Sequence, residues 1–195
     1  AVSACGKLTK VVLPENLKEI GKYAFRGDTS LTEVQMPKTL EVIAPSAFEN
    51  CTALTSLELP DSLKVIDTKA FYGNNKLKLN GHLPASIQTI GPEAFYRVKF
   101  NYDNLNLPYL EIPKTMQELD LLAFKGISNL SGLVIHNPEI IFKIPAANGF
   151  YSSSFKTVAS QLWLYGHPGS TTQTFAEDPA HPSQFYSIEE CPLFK

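Results

Sequence analysis

The stretch LTEVQMPKTLEVIAPSAF, residues 31–48, contains the pattern that decides the fold. Leu31 precedes a short alternation in which Val34 and Met36 flank a polar residue, and this period of two is typical of a strand. Pro37 ends that strand because proline has no N–H to offer a central ladder. Apolar residues follow three and six positions after the proline, and an Ala-Phe pair closes the stretch.

The pattern occurs five times, each time with a phenylalanine eleven residues after a proline and directly after an alanine. The pairs are Pro14/Phe25, Pro37/Phe48, Pro60/Phe71, Pro84/Phe95 and Pro113/Phe124. Successive prolines are 23, 23, 24 and 29 residues apart. Such a period indicates a solenoid in which each coil covers the apolar face of the next. We therefore predict narrow parallel sheets and one continuous column of phenylalanine rings.

Both ends of the chain depart from this pattern. The first residues match the second half of a repeat, so we expect a fragment whose first repeat is truncated. Pro138 to Phe150 forms a sixth, degenerate repeat that lacks the alanine, and residues 151–195 break the pattern. There we predict a strand over 162–165, a helix capped by Ser170 and a strand over 185–188. Residues 1–150 are thus predicted to be repeats, and 151–195 to be the C-terminal capping unit of the same domain.

The composition narrows the classes of function. The chain has 195 residues, of which 44% are hydrophobic, and a formal net charge of −2. This balance argues against a nucleic-acid partner, and no apolar run approaches the roughly 20 residues needed for membrane insertion. Cys5 and Cys51 occupy one repeat position two coils apart, about 10 Å, which is too far for a disulfide. We predict that both are buried thiols.

The sequence offers no recognisable catalytic machinery. It contains no HExxH, P-loop, G-x-S-x-G or G-x-G-x-x-G motif, and its four histidines form no ligand pair. Cys51 belongs to the repeat core and is therefore not a candidate nucleophile. We predict no catalytic residue, cofactor site or metal site, and a protein that is not an enzyme.

The candidate binding residues lie on the outward face of the longer strands. Alignment of the repeats by the outward residue of each longer strand gives one row with Val12, Gln35, Glu58, His82, Glu111, Val134 and Trp163, and a parallel row one step earlier with Lys10, Glu33, Ser56, Asn80, Tyr109 and Gly132. These rows are either an ordinary solvated face or a ligand stripe, and Trp163 favours the second because tryptophan is enriched in binding hot spots. Trp163 could also act as a lid over the last coil. Phe100, Tyr102 and Tyr109 lie in the expanded repeat, where they either fold back on the core or form a binding patch.

The repeat Leu-x-x-Val/Leu-x-Leu/Met-Pro, followed by Leu-x-x-Ile and by Ala-Phe with a Cys at the next turn, resembles the BspA-like, or Treponema pallidum type, leucine-rich repeat family. The resemblance covers residues 1 to about 150, and the ending LWLYGHPGSTTQTFAED…FYSIEE is similar to the family's C-terminal unit. The expansion before Pro113 and the missing alanine before Phe150 depart from the family pattern. The resemblance implies a right-handed leucine-rich-repeat solenoid, mostly β with short helical turns and a small α/β C-terminal cap.

The same resemblance implies a function. Members are non-enzymatic, surface-exposed or secreted proteins of bacteria, or of protists that live beside them, and they are associated with adhesion to host proteins, host cells or other microbes. We therefore expect an extracellular protein-interaction module whose partners are proteins. The alternative is a passive structural spacer that presents an upstream domain. A catalytic or dedicated binding domain upstream would favour the spacer.

Overall fold

Each repeat folds into one coil that contains two short strands and a tight turn. The computed structural model describes residues 7–80, 82–101, 109–143, 163–177 and 184–190. Every strand pair in these ranges is parallel, and the coils form a β-solenoid of about six turns with little helix. The predicted fold class is therefore confirmed.

The longer strands build the first sheet, whose outward side we call the front face. Its strands are β1 (Lys10–Val12), β3 (Glu33–Gln35), β6 (Lys78–Asn80), β8 (Lys99–Asn101), β9 (Tyr109–Ile112), β11 (Gly132–Ile135), β13 (Trp163–Gly166) and β14 (Gln184–Ser187). Pairing joins β1 to β3, β6 to β8, and β9, β11, β13 and β14 in that order. Successive side chains point to opposite sides of the sheet, so the middle residue of β3 and β6 is buried between more exposed ones, whereas all four residues of β11 are buried.

The shorter strands after each proline form the second sheet. They are β2 (Glu19–Ile20), β4 (Val42–Ile43), β5 (Val65–Ile66), β7 (Thr89–Ile90), β10 (Glu118–Leu119) and β12 (Ile141–Phe142). The first four pair in sequence order, and β10 pairs with β12. Between these sheets and the turns lies one apolar core, to which almost every coil contributes leucine, isoleucine, alanine and phenylalanine.

The phenylalanines form the predicted column. Ring centroids are 5.1 Å apart for Phe25 and Phe48, 5.5 Å for Phe48 and Phe71, and 6.0 Å for Phe71 and Phe95. Phe124 continues the column at 6.1 Å from Phe95. All these rings are buried, and the alanine before each ring leaves room for it. The expectation that identical repeat positions stack is thereby confirmed.

Hydroxyl side chains tie neighbouring coils together two residues after each proline. Thr39, Ser62, Ser86 and Thr115 each donate to main-chain carbonyls of the preceding coil; the Thr115 Oγ1 bonds to the carbonyls of Ala85 and Ile87 measure 2.6 and 2.8 Å. These hydrogen bonds are exposed or part-buried, and each contributes about 0.5–1.5 kcal/mol to the contact between neighbouring coils. The sequence analysis missed this hydroxyl ladder, although a Ser or Thr at that position in four repeats was a readable signal.

Neighbouring coils approach each other so closely at Gly91 that a side chain would not fit there. A Cβ atom on Gly91 would lie 2.4 Å from the main-chain nitrogen of Thr68 and 2.8 Å from the carbonyl carbon of Asp67. Gly21 occupies the corresponding position in the first coil, where a Cβ would meet nothing within 4 Å. Glycine is therefore required at Gly91 by packing, whereas the site at Gly21 has space for a side chain.

The C-terminal elements agree with the prediction to within about a residue. β13 is followed by helix α1 (Thr171–Glu177) and then by β14, which pairs in parallel with β13. Ser170 caps the helix, since its Oγ accepts the Gln173 N–H at 3.4 Å. Short 3₁₀ turns cover Leu121–Phe124 and Ile188–Glu190. The division into repeats over 1–150 and a cap over 151–195 stays a prediction.

Candidate functional site

The front face of the first coils is polar and ordered by side-chain contacts. Lys10 and Glu33 occupy directly opposite positions on β1 and β3, and their charged groups are 2.8 Å apart. The Gln35 amide donates to the same carboxylate at 3.2 Å. The hydrogen bond from Lys10 lowers the pKa of Glu33 below its usual value. Val12 lies opposite Gln35, as the alignment of repeats predicted.

The predicted rows are wrong at the fourth coil. Alignment on the prolines placed Ser56 beside Asn80 and Glu58 beside His82, but the structure pairs Ser56 with Lys78. The reason is the spacing of inward residues: Leu77 and Leu79 are both buried, with one residue between them, so the strand begins earlier relative to its proline. The additional residues lie between the strand and Pro84.

A shallow groove crosses the front face between the second and fourth coils. It consists of two adjoining depressions of about 690 and 590 Å³. Met36, Leu57, Glu58 and Asn80 line both; Glu33, Gln35 and Lys78 line the upper one, and Lys38, Asp61 and His82 line the lower. Within the described ranges, no strand pairing joins β3 to the following segment 55–59. The groove thus lies where the ladder of the first sheet is interrupted.

His82 connects this groove to a second polar cluster. It is exposed and lies opposite Glu111 on the next strand of the face. The Nε2 atom of His136 lies 2.8 Å from the Glu111 carboxylate. His82 and Glu111 therefore belong to one row, as predicted, and His136, the residue that follows β11, joins them.

Two of the three aromatic residues of the expanded repeat, Phe100 and Tyr109, are buried. Phe100 is buried beneath β8 and packs edge-on against Phe95 with ring centroids 5.4 Å apart. Tyr109 is also buried, with its ring over Gly132, where a Cβ would lie 2.8 Å from the ring. Because both side chains are buried, neither Phe100 nor Tyr109 is part of the proposed interface. The prediction for Tyr102 lies outside the described residues.

The front face ends in an aromatic cluster on the last strands. Trp163 pairs with Gly132, whereas the alignment had placed it beside Val134, which is buried rather than exposed. The Trp163 side chain is 40% exposed, and its ring centroid lies 5.6 Å from that of Tyr186, which is 37% exposed. Trp163 thus stays accessible and does not close the core as a lid.

Tyr165 and Tyr186 were missed by the sequence analysis. Tyr165 stacks on Tyr186 at 5.5 Å and meets Tyr109 edge-on at 5.3 Å, so these rings cover Val134 from outside. The alternation of LWLYG and FYS, with aromatic residues in outward positions, was the available signal. Its meaning depends on β13 and β14 pairing, which a single sequence does not reveal.

The described residues offer little other chemistry. None of the described His, Cys, Asp and Glu residues cluster in threes or more in a way that could hold a metal ion. Cys51 is a free, buried thiol that donates to the Phe25 carbonyl at 2.9 Å, and burial raises its pKa to about 12. The prediction for Cys51 is confirmed, whereas Cys5 lies outside the described residues. The described part of the chain has no helix with the length and apolar character of a membrane span.

Comparison with known proteins agrees with this geometry. The profile of the BspA type leucine rich repeat region matches in six copies over residues 1–105 and 99–161. The solved leucine-rich repeat protein TpLRR of T. pallidum is 30% identical, with a TM-score of 0.59, and the match covers 76% of this chain and 66% of that one. A leucine-rich repeat protein from Bacteroides ovatus shares the fold at 22% identity and a TM-score of 0.53, with 83% and 40% covered. No curated protein sequence matches.

The geometry and the family match together identify the class of this protein. The parallel coils, the phenylalanine column and the outward polar face are those of a leucine-rich-repeat solenoid, a class of protein-interaction scaffold. The chain belongs to the BspA-type leucine-rich repeat family. It spans 66% of the Treponema protein and 40% of the Bacteroides protein.

Proposed function

We propose that this chain is an extracellular or cell-surface protein-interaction module that adheres to host proteins or to other microbes through its front face. The observation that carries the proposal is the groove between the second and fourth coils. It brings Gln35, Glu58 and His82 onto one continuous depression. Stacked repeats characteristically use such long faces for binding.

The chemistry of the groove supports a protein partner. Its floor contains apolar side chains such as Met36 and Leu57, and its walls carry charges of both signs, including Glu58 and Lys78. An apolar centre with a polar rim is the usual composition of a protein interface. Because Glu58 and Lys78 are exposed, they are available to pair with a partner rather than with the core.

Trp163 and Glu111 extend the proposed interface toward the C-terminal end. The exposed faces of Trp163 and Tyr186 supply the large, rigid contact area that dominates many interfaces. Glu111 lies between this aromatic pair and the groove, in the row that begins with His82. The location outside the cell is proposed from membership of the family, in which surface proteins are the rule.

The test compares capture by variants of the front face. Immobilised extracellular-matrix proteins and intact co-resident bacteria are incubated with wild type, with Glu58→Ala/Trp163→Ala, and with the control Glu19→Ala/Gln88→Ala. The control residues are exposed on the second-sheet side of the coils. We expect the front-face variant to lose at least about tenfold in affinity, since hot-spot residues contribute about 2 kcal/mol or more.

Equal capture of wild type and front-face variant would contradict the proposed interface. Absence of capture by the wild type on every surface would instead favour the passive spacer. The melting temperature of each variant, measured alongside, separates loss of binding from loss of folding.

A further inference from the structure

The turn side of the coils carries a feature that the proposed interface does not use. Two positions before each phenylalanine the backbone is left-handed, and these positions are Tyr23, Ser46, Lys69 and Glu93, with φ between 55 and 60°. Only glycine adopts this conformation freely, and other residues held there cost about 1 kcal/mol or more each. Of these four side chains, Tyr23 and Lys69 reach solvent on one ridge along the turn side, whereas Ser46 and Glu93 are buried.

Cations and tyrosine rings alternate along this ridge. Lys22 and Arg26 lie over the Tyr23 ring at 4.8 and 5.2 Å, and Lys69 lies over the Tyr72 ring at 5.4 Å. Tyr96 belongs to the next coil, and its ring stacks on that of Tyr72 with centroids 4.6 Å apart.

The C-terminal end of the ridge repeats the arrangement. Arg97 and Lys125 lie 5.2 and 5.9 Å from the Tyr96 ring centroid. Gly126 makes space for that ring, because a Cβ there would lie 2.9 Å from it. The ridge, defined as Lys22, Tyr23, Arg26, Lys69, Tyr72, Tyr96, Arg97 and Lys125, therefore takes its side chains from the first, third, fourth and fifth coils.

The carboxylates of the turn side lie beneath these cations. Glu49 pairs with Arg26 at 3.1 Å, and Glu93 lies 3.5 Å from Lys69 and 3.2 Å from Lys125. The side chains of Glu49 and Glu93 are only 12% and 10% exposed, against 51% for Arg26 and 37% for Lys69. The charged groups that are exposed to solvent on this ridge are therefore mainly positive.

Two further carboxylates at the start of the turns are engaged with the backbone. Asp67 accepts the Thr68 N–H at 2.6 Å, and Asp120 accepts the Leu122 N–H at 2.9 Å. By contrast, Lys22 and Arg97 are exposed, and no described residue forms an ion pair with either. These two cations lie over tyrosine rings but have no carboxylate partner among the described residues, so their charge can pair with an anionic ligand.

We propose that this ridge binds a linear, sulfated glycan. Sulfate groups match the donors of Arg and Lys, and the apolar face of a sugar ring matches the exposed Tyr23 ring. Coils that repeat at 5.1 to 6.1 Å present these groups in a line, which suits a polymer with charges at regular intervals. The ridge is separate from the front face, so this proposal does not depend on the proposed protein interface.

The experiment uses heparin as the probe and chemically desulfated heparin as its counterpart. The affinity of the whole chain is measured by titration at 0.1 M NaCl for wild type and for Lys22→Gln/Arg97→Gln. The matched control is Lys38→Gln/Lys78→Gln, which removes the same charge from the rim and wall of the front-face groove. All four residues are exposed, so each variant is expected to keep the wild-type melting temperature.

We expect the wild type and the control to bind heparin, and the ridge variant to bind roughly tenfold more weakly, because each lost exposed ion pair weakens binding roughly threefold. Desulfated heparin should not bind. Equal weakening in the control, no binding by the wild type, or equal binding of desulfated heparin would each overturn the proposal. Equal affinity for duplex DNA or for vesicles of anionic lipid would overturn it as well, since that would show general attraction to polyanions.

Discussion

The phenylalanine column gives the sharpest test of how the coils are held together. Phe71 is fully buried between the rings of Phe48 and Phe95, which lie 5.5 and 6.0 Å away. Replacing it by alanine removes contacts to both neighbouring coils and leaves a cavity in the middle of the column. Large-to-small changes of this kind lower the free energy of unfolding by about 3–5 kcal/mol.

The size of this loss in the free energy of unfolding follows from the apolar area that a phenylalanine side chain buries. A phenylalanine buries about 150–250 Å², and roughly 25 cal/mol per Å² gives about 4–6 kcal/mol as an upper value. We therefore expect Phe71→Ala to lower the free energy of unfolding by about 4 kcal/mol. Phe71→Leu keeps most of the volume, and we expect a loss of about 1–2 kcal/mol.

Phe25→Ala is the matched control because the Phe25 ring stacks on only one described neighbour in the column, Phe48. Urea unfolding followed by fluorescence gives the three free energies and their m-values. We expect the Phe25 loss to be clearly smaller than the Phe71 loss. A Phe71→Ala loss below about 1 kcal/mol, or a loss equal to that of Phe25→Ala, would refute the account of coil-to-coil packing.

Three further changes test the contacts between coils. Gly91→Ala should lower the free energy of unfolding by about 2 kcal/mol or more, because its Cβ would meet main-chain atoms, while Gly21→Ala should be neutral or slightly stabilising; urea unfolding that gives equal effects would contradict this reasoning. Thr115→Val should lower it by about 1–2 kcal/mol in the same assay by leaving two carbonyls unpaired, and the exposed Thr52→Val should change it by less than about 0.5 kcal/mol. Two lysine ammonium groups lower the pKa of Glu41 to about 2 from 4.5, so its contribution to stability is present above pH 4.5 and is lost as the pH falls toward 2. Glu41→Gln should therefore lower the melting temperature slightly at pH 6 and not at pH 2, and an equal difference at both pH values would contradict this assignment.

The repeat pattern was sufficient to predict the solenoid and its core. Leu40, Ile43 and Phe48 follow Pro37 at fixed distances, and all three are fully buried in one coil. This inference works because each coil repeats one local pattern, and stacking then places equivalent residues together without further information.

The composition of the front face could be predicted only in part. Alignment on Pro60 and Pro84 placed Ser56 beside Asn80, but strand register is fixed by the inward residues Leu77 and Leu79 rather than by the proline. A slip of this kind changes which side chains are neighbours along the whole strand. The alignment of Trp163 with Val134 was likewise wrong by two residues, since Trp163 pairs with Gly132.

The aromatic residues of the expanded repeat show a second limit of what the sequence alone can predict. Phe100 and Tyr109 are both apolar enough for either a core or a binding surface, and the sequence left both alternatives open. The structure buries Phe100 against Phe95 and Tyr109 against Tyr165. The Tyr109 contact joins strands that meet only through the solenoid, and the burial of Phe100 depends on the register of β8 on β6, where it lies opposite Leu79, so local pattern alone could not reveal either.

The pairing of Ser56 with Lys78 tests the register of the front face most directly. Cysteine pairs at 56/78 and at 56/80 are placed in separate variants and treated with a thiol cross-linker that spans about 5 Å. Directly opposite residues on parallel strands lie about 4.8 Å apart, whereas a shift of two residues increases the separation to roughly 8 Å. We predict rapid cross-linking of Ser56→Cys/Lys78→Cys and little reaction of Ser56→Cys/Asn80→Cys. Faster reaction of the second pair would contradict the register on which the groove, and with it the proposed interface, depends.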